Sequence, residues 1–170
     1  LISGEEMTGK VKAAVDARTS DDTLIIARTD AIAVEGFQPA LDRAESYLAA
    51  GADILFIEAP RDLDQMNEIA ERFQGRVPLL ANMVEGGRTP LRTANDLGEA
   101  GFQLVITPGA FVRALAFMAE EFLTALKTDG ATANYRDRML DFGELNRLLG
   151  IDEMKADGDR YDAEGKEAAE

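Results

Sequence analysis

The chain has 170 residues, of which 46% are hydrophobic and 29% charged, a globular composition long enough to build one core. It contains no Cys and no His, which excludes disulfides, thiolate or imidazole metal ligands and His general-base chemistry within these residues. The net charge of −14 argues against nucleic acid as a partner, since phosphates would be repelled, and no apolar run is long enough to cross a membrane.

The first predicted element is a capped helix. Ser3 is a suitable N-cap, and Glu6 stands three residues later, where its carboxylate can bond back to the cap. Apolar side chains then recur at helical spacing at Met7, Val11, Ala14 and Val15. We therefore expect a helix with one buried face before the first strand.

The first predicted strand is the apolar run 24–27, which ends at Arg28, Thr29 and Asp30. A run without polar alternation predicts a strand covered on both faces, as in a parallel sheet. Polar residues at the carboxyl end of such a strand lie where α/β folds place ligands. For a single strand, a buried strand followed by an ordinary polar turn explains the pattern equally well.

Three further strand-and-helix units follow at similar intervals. The predicted strands span residues 54–57, 79–81 and 104–106. Capping and stop signals predict a helix after each strand. The first has Pro39 in its first turn and ends at Gly51, and the second begins after the N-cap Asp62. The third begins at Thr89-Pro90 and ends at Gly101, and the fourth spans about 110 to 127. Repeated βα units predict a parallel sheet.

The polar ends of these strands make a shared site the better interpretation. Four successive strands end in polar residues: Arg28 with Asp30, Glu58, Asn82 with Glu85, and Thr107. In a (β/α)8 barrel such ends converge on one rim, although a whole barrel takes ~250 residues and this chain supplies four units. A doubly wound sheet is the structural alternative, but its Gly-x-Gly-x-x-Gly turn is not present.

The end of the chain changes character after residue 130. Residues 131–151 form a predicted C-terminal helical segment, with an amphipathic helix over 139–149. Residues 152–170 are mostly Asp, Glu, Gly, Lys and Ala, and we expect a frayed or disordered acidic tail. The predicted organisation is therefore a barrel segment over 1–130, a helical segment and a tail.

Three motifs also carry a resemblance to a known family: Ala27-Arg28-Thr29-Asp30-Ala31, then Ala50-Gly51-Ala52-Asp53 leading to Phe56-Ile57-Glu58-Ala59, then Ala81-Asn82-Met83-Val84-Glu85-Gly86-Gly87-x-Thr89-Pro90. They resemble the isocitrate lyase/phosphoenolpyruvate mutase superfamily, and most of all its branch of 2-methylisocitrate lyases, alkylmalate lyases and oxaloacetate decarboxylases. The likeness runs from about residue 2 to 150, and it implies the carboxyl-terminal half of a (β/α)8 TIM barrel followed by C-terminal helices.

The resemblance implies a role for each matching residue. Arg28 would hold a substrate carboxylate through its planar fork, and Glu58 would act near the breaking bond or orient its neighbours. Asn82 would donate hydrogen bonds to a substrate carboxylate, with Met83 and Val84 shaping the pocket beside it, and Arg113 would add a second carboxylate contact. Asp30 and Glu85 are further candidates, although Asp30 could equally anchor Arg28 and Glu85 could be a solvated loop acid. Without the family, Arg113 would be read as an ordinary helix-surface arginine.

Two departures from the family pattern affect the implied function. Phe142 stands where 2-methylisocitrate lyases carry an arginine for the third carboxylate, and the sequence of 84–87 looks more like the alkylmalate and oxaloacetate members. Both favour a dicarboxylate substrate. The family's Mg²⁺ ligands and its mobile Cys-bearing loop lie in the first half of the barrel, just before the point where Leu1 falls. We therefore expect a fragment with no metal ligand of its own, inactive alone.

The implied whole enzyme is a Mg²⁺-dependent carbon–carbon lyase acting on a small carboxylate such as 2-methylisocitrate, an alkylmalate or oxaloacetate. It would be a cytoplasmic homo-oligomer, a dimer or tetramer, with the last helices exchanged between subunits and no nucleic-acid or membrane partner. A phosphonate P–C bond enzyme of the same superfamily is one alternative. An inactive half-barrel that serves as a binding or assembly module is the other, because open strand edges promote association.

Overall fold

The computed structural model describes residues 1–161. Four short strands alternate with helices in the order α1 (Gly4–Ala17), β1 (Ile26–Thr29), α2 (Ala31–Val34), α3 (Phe37–Ala49), β2 (Ile54–Ile57), α4 (Leu63–Phe73), β3 (Leu80–Asn82), α5 (Ala94–Ala100), β4 (Leu104–Ile106) and α6 (Ala110–Asp129). A 3-10 turn (Ala133–Arg138) and the helices α7 (Phe142–Leu148) and α8 (Ile151–Tyr161) follow. None of the helices within 1–161 is both long and apolar enough to cross a membrane.

The four strands are parallel and follow one another in chain order. β1 pairs with β2 in the register Ala27 to Leu55, and β3 pairs with β4 in the register Ala81 to Val105. A bridge between Leu55 and Leu79 joins the two pairs, with the amide of Leu55 donating to the carbonyl of Pro78 at 3.1 Å. A doubly wound sheet reverses its strand order, and these four strands do not. The fold is therefore α/β and consistent with part of a (β/α)8 barrel.

The two faces of the strand layer differ in burial. On one face Leu55, Leu79 and Ala81 are buried with the helices α3 and α4 in the main core, which also holds Tyr47 and Phe73. On the other face a small cluster joins Ile54, Phe56 and Leu80. The strand β2 is buried at all four positions because it has a neighbouring strand on each side.

An ion pair fixes how β1 meets β2. The Asp53 carboxylate, just before β2, accepts from the amide of Ile25 at 2.8 Å and from the Arg18 guanidinium at 2.9 Å. Arg18 is the C-cap residue of α1, so one carboxylate joins the end of that helix to the starts of two strands. This contact gives a structural role to the Asp53 of the Ala-Gly-Ala-Asp motif.

Most predicted helix boundaries agree with the structure. The Ser3 hydroxyl accepts from the amide of Glu6 at 3.1 Å, and the Asp62 carboxylate accepts from the amide of Gln65 at 2.8 Å. Gly101 ends α5 in the left-handed conformation, with φ of 106°. The N-caps and this C-terminal stop are therefore confirmed.

Two predictions about β1 and α5 were wrong. The strand β1 is not covered on both faces, since Ala27 is buried while Ile26 is 45% exposed. The helix α5 does not begin at Thr89-Pro90; it begins at Ala94, where Thr93 and Asp96 form a reciprocal capping box. Two satisfied backbone donors favour that start over a proline in the first turn.

The tail also differs from its prediction. Residues 151–161, mostly expected to be frayed, form α8, which has Asp152 and Glu153 in its first turn and Arg160 in its last, as the helix dipole favours. The rest of the predicted tail, 162–170, lies outside the described residues. The predicted helix over 139–149 is shorter and begins after the cap Asp141.

The chain divides into two compact units, the first from Leu1 to Arg113 and the second from Ala114 onward. All four strands lie in the first unit. The division falls near the start of α6, which buries none of its residues, whereas the sequence predicts a boundary at residue 130. The three-part organisation predicted from the sequence stays a prediction.

Candidate active site

The side-chain alternation of the strands brings three predicted site residues to one place. Arg28 follows Ile26 by two positions, Glu58 follows Phe56, and Asn82 follows Leu80, so all three share the face opposite the main core. The amide of Glu58 donates to the carbonyl of Thr29 at 2.9 Å, which extends the β1–β2 pairing to the end of the strands. Parallel neighbours therefore present these polar side chains at one edge of the strand layer.

Arg28 is held by Asp30 in a bidentate ion pair. Its Nε donates to one carboxylate oxygen at 2.9 Å and its Nη2 to the other at 2.8 Å. The hydrogen bond with Asp30 raises the pKa of Arg28, and the same bond lowers the pKa of Asp30. The guanidinium carbon also lies 4.8 Å from the centre of the Phe56 ring. This contact is the one expected if Asp30 anchors Arg28.

Glu58 and Asn82 form the second half of the cluster. The Asn82 amide nitrogen donates to the Glu58 carboxylate, at 3.2 Å to the nearer oxygen, and that oxygen lies 3.8 Å from Arg28 Nη2. Asn82 Oδ1 is buried and has no hydrogen-bond partner in the part of the chain that the structure describes. Reversing the amide would turn Oδ1 toward a carboxylate, so the observed orientation is the favourable one. Oδ1 is therefore an unpaired acceptor that lies inside the strand ends and exposes almost no surface to the cavity.

A cavity of about 370 Å³ opens beside this cluster. Asp30, Glu58 and Asn82 supply its strand-end wall. The loop after β3 supplies Val84, Gly87, Arg88 and Thr89. Its volume falls within the range of about 300 to 1,000 Å³ that small-molecule sites occupy. Arg88 was not predicted as a site residue, although it stands at the open position of the Gly-Gly-x-Thr-Pro motif.

Backbone strain lies next to Glu58. Ala59 lines the cavity with φ of 60°, the one described residue other than glycine with a positive φ, and it precedes Pro60. A side chain in this conformation costs about 1 to 2 kcal/mol. Such strain is concentrated at functional sites. The sequence does not predict the strain at Ala59, because alanine rarely adopts a left-handed conformation and so is not a signal for one.

The remaining predicted site residues lie elsewhere. Val84 lines the cavity, but Met83 is 4% exposed and packs in the main core, while its amide donates to the carbonyl of Ile106 at 2.9 Å. Arg113 forms an ion pair with the Glu85 carboxylate and donates from Nη1 to the Glu85 carbonyl at 3.2 Å. Neither Glu85 nor Arg113 lines the cavity. Direct substrate contacts by Met83 and Arg113 therefore stay predictions.

The cavity does not offer a magnesium site by itself. No group of three or more acidic side chains within residues 1–161 is arranged to hold a metal ion. Asp30 and Glu58 are the cavity's two carboxylates, and both oxygens of Asp30 are engaged by Arg28. Since Mg²⁺ needs near-octahedral oxygen ligation, these residues alone do not fit the ion.

Parallel strands that end in a glutamate and an asparagine at a small cavity, with an arginine beside them, define an enzyme-type site for a small polar molecule. The family described as phosphoenolpyruvate phosphomutase matches residues 1–127. The chain therefore belongs to the isocitrate lyase/phosphoenolpyruvate mutase superfamily, as its motifs indicated.

Relatives and a solved structure agree with this membership. The chain is 44% identical to 2,3-dimethylmalate lyase of Eubacterium barkeri, with 91% of this chain and 53% of the relative covered. It is 43% identical to 2-methylisocitrate lyase of Shewanella oneidensis, with 88% and 51% covered. The structure of phosphonopyruvate hydrolase in complex with oxalate and Mg²⁺ superposes with a TM-score of 0.78 at 29% identity, covering 95% of this chain and 57% of that one. The chain thus spans about half the length of the curated relatives it matches.

Proposed function

We propose that this chain is the carboxyl-terminal half of a carbon–carbon lyase that cleaves or decarboxylates a 2-hydroxy or 2-oxo di- or tricarboxylate. The observation that carries the proposal is the cluster of Arg28, Glu58 and Asn82: Glu58 and Asn82 line the cavity, and Arg28 lies beside them, next to Glu58. The candidate substrates are 2-methylisocitrate, an alkylmalate and oxaloacetate.

The exposed edges of the strand layer support the half-barrel part of this proposal. Among the described residues β1 pairs only with β2 and β4 only with β3, so one edge of each strand is unpaired, and Ile26 in β1 is 45% exposed. A closed barrel leaves no such edges, because every strand has two neighbours. Four preceding βα units would cover both, and the relatives are long enough to contain them.

The cluster suggests how the chain's own residues would handle a hydroxy acid. Arg28 uses Nε and one Nη2 hydrogen on Asp30, which leaves its Nη1 donors for a substrate carboxylate. Asn82, whose amide nitrogen donates to Glu58, would hold the Glu58 carboxylate in place, since its own Oδ1 is buried away from the cavity. This differs from the role of donor to the substrate that the resemblance implied for Asn82.

Glu58 lies between these two groups, within hydrogen-bonding distance of Asn82 and 3.8 Å from Arg28. As the catalytic residue of the proposal, it would act near the breaking bond or hold Asn82 and Arg28 in their orientations. Glu58 would accept the hydroxyl proton, the oxygen would form the new carbonyl double bond, and the electron pair of the broken carbon–carbon bond would pass to an enolate. Magnesium would be held by residues outside this chain, as the relative's complex with Mg²⁺ suggests.

The proposed substrate is a dicarboxylate in preference to a tricarboxylate. The second unit offers Phe142, 87% exposed, at the position where the family pattern has an arginine. The same helix α7 exposes Leu148 at 73%, so it presents an apolar stripe. That stripe supports the proposed homo-oligomer in which α7 packs on a neighbouring subunit.

Kinetics of the protein extended upstream of Leu1 would test the site assignments. Glu58→Gln should lower kcat by at least about 100-fold, in the range of lost general acid–base catalysis. Arg28→Lys should raise KM, because a single ammonium cannot reproduce the guanidinium fork. Arg61→Lys, in an exposed loop beyond β2, is the matched control. Unchanged kinetics for both site variants would remove the basis of the proposal.

The inactive half-barrel module remains the second candidate, because the exposed edges of β1 and β4 also favour association. Size-exclusion chromatography of the 170-residue chain separates the two. A stable complex with no lyase activity, even after upstream extension, would favour the module.

A further inference from the structure

We propose that Arg88 binds the second carboxylate of a dicarboxylate substrate and so determines the specificity of this site. The inference deepens the proposed function and depends on it. It rests on the charge balance of the cavity, on the pairing of the other arginines and on the turn that carries Arg88.

The cavity needs a cation to accept a dianion. Its wall holds two carboxylates, Asp30 and Glu58, and Arg88 is the one basic side chain among the described residues that line it. Arg28 already compensates Asp30, and Glu58 has only a long contact to Arg28 at 3.8 Å. Among the described residues of this chain that line the cavity, Arg88 is therefore the one that offers an uncompensated positive charge to a dianionic substrate, in addition to the Mg²⁺ of the proposed function.

The other candidate arginines each have a carboxylate partner within the chain, so their charges are compensated. Arg28 is bound bidentately by Asp30, and Arg113 is bound by both the side chain and the carbonyl of Glu85. Arg88 makes no ion pair or side-chain hydrogen bond with any residue of 1–161. Its planar fork is therefore available, and it matches the geometry of a carboxylate.

A tight turn holds Arg88 at the cavity. The amide of Gly87 donates to the carbonyl of Val84 at 2.9 Å, and Gly86 adopts φ of 77°, which favours glycine. A Cβ added at Gly87 would lie 2.9 Å from the Val84 carbonyl oxygen, so a side chain does not fit there. The backbone from Val84 to Arg88 is consequently constrained, and it follows directly on the strand that carries Asn82.

Arg28 and Arg88 would then bind different carboxylates of the same substrate molecule. Arg28 would take the carboxylate next to the hydroxyl-bearing carbon, because it lies 3.8 Å from the Glu58 carboxylate that Asn82 contacts. Arg88 would take the distal carboxylate across the cavity. A monocarboxylate of the same kind would fill the first position and leave Arg88 without a partner.

Malate and lactate form a matched pair of probes, since lactate lacks only the distal carboxylate. Binding of each to the 170-residue chain is measured by NMR titration at constant ionic strength, for the wild type, Arg88→Gln, Arg88→Lys and the control Arg92→Gln. Arg92 is exposed, lies in the same loop and does not line the cavity. Circular dichroism establishes that each variant is folded.

The wild type should bind malate about tenfold more tightly than lactate, a difference in the range expected for a charge-assisted hydrogen bond. Arg88→Gln should abolish that difference by weakening malate alone, Arg88→Lys should restore it in part, and Arg92→Gln should change neither. Malate affinity unchanged in Arg88→Gln, or an equal loss for both probes, would overturn the inference while leaving the proposed function intact. A folded wild type that binds neither probe would also overturn the inference, whereas the proposed function is tested separately by turnover of the extended protein.

Discussion

The two faces of the strand layer have different roles. The face toward α3 and α4 is closed, with Leu55 and Leu79 each 1% exposed in the main core. The opposite face carries Ile26 at 45% exposure, a three-residue cluster around Phe56, and the polar groups Arg28, Glu58 and Asn82. One face therefore supplies stability, and the other supplies the site while leaving apolar surface uncovered.

The largest expected change in stability comes from a substitution on the closed face, compared with one on the open face. Leu55→Ala should lower the free energy of unfolding by about 2 to 5 kcal/mol, because it leaves a cavity in the closed core. Ile26→Ala, on the adjacent strand and the open face, should cost less than about 1.5 kcal/mol, since its side chain is already half in water. Urea unfolding of both variants measures the difference. Equal losses would mean that the open face is as well packed as the closed one.

The register between β1 and β2 gives the next prediction. Asp53→Ala removes the acceptor for the amide of Ile25 and the partner of Arg18, and it should cost about 1 to 3 kcal/mol. Asp21→Ala is the matched control, because Asp21 also approaches Arg18 but its side chain is fully exposed. The control should stay within about 0.5 kcal/mol of wild type. If the two variants lose equal stability, Asp53 does not clamp the strands.

The strain at Ala59 predicts a smaller change of opposite sign. Ala59→Gly should stabilise the fold by up to about 1 kcal/mol, as relief of the left-handed conformation outweighs the entropy that glycine loses. Ala33→Gly, also at the cavity but inside α2, should instead destabilise by about 1 kcal/mol. Chemical unfolding at one pH measures both. A loss at Ala59→Gly would show that its backbone is not strained.

The pair of Arg28 and Asp30 gives the smallest predicted effect, a dependence on pH. The pKa of Asp30 is lowered in the folded state by its hydrogen bond with Arg28, so its contribution is present above the unfolded pKa of about 3.9. That contribution is lost as pH falls through the lower folded pKa, where both states become protonated. The stability gap between wild type and Asp30→Asn should therefore close as the pH falls below the unfolded pKa of about 3.9. A gap that stays constant as the pH falls would argue against the ion pair.

The sequence predicted the closed face better than the open one. Apolar runs and caps at Ser3 and Asp62 located the strands and most helices, because these signals are local. The exposure of Ile26 was missed, since an apolar run predicts a strand but not whether this chain supplies a cover for both of its faces. The start of α5 was missed because Thr93 and Asp96 cap it more fully than Pro90 would.

The site was predicted in part and for an identifiable reason. Arg28, Glu58 and Asn82 stand at strand ends at positions that share a face, so alternation brings them together. The burial of Met83, the pairing of Arg113 with Glu85 and the conformation of Ala59 depend on tertiary packing that no local pattern encodes. The position of Arg88 at the cavity could not be predicted from the sequence, because it depends on the turn over residues 84–87.

The central claim is that the open face is one half of a lyase site, and turnover tests it most directly. Carbon–carbon cleavage of an alkylmalate, 2-methylisocitrate and oxaloacetate is measured with Mg²⁺ for the 170-residue chain and for the protein extended upstream of Leu1. The account predicts turnover by the extended protein that Arg28→Gln abolishes, and none by the 170-residue chain. Turnover by the 170-residue chain alone would contradict the half-barrel account, and an extended protein without turnover would contradict the proposed function.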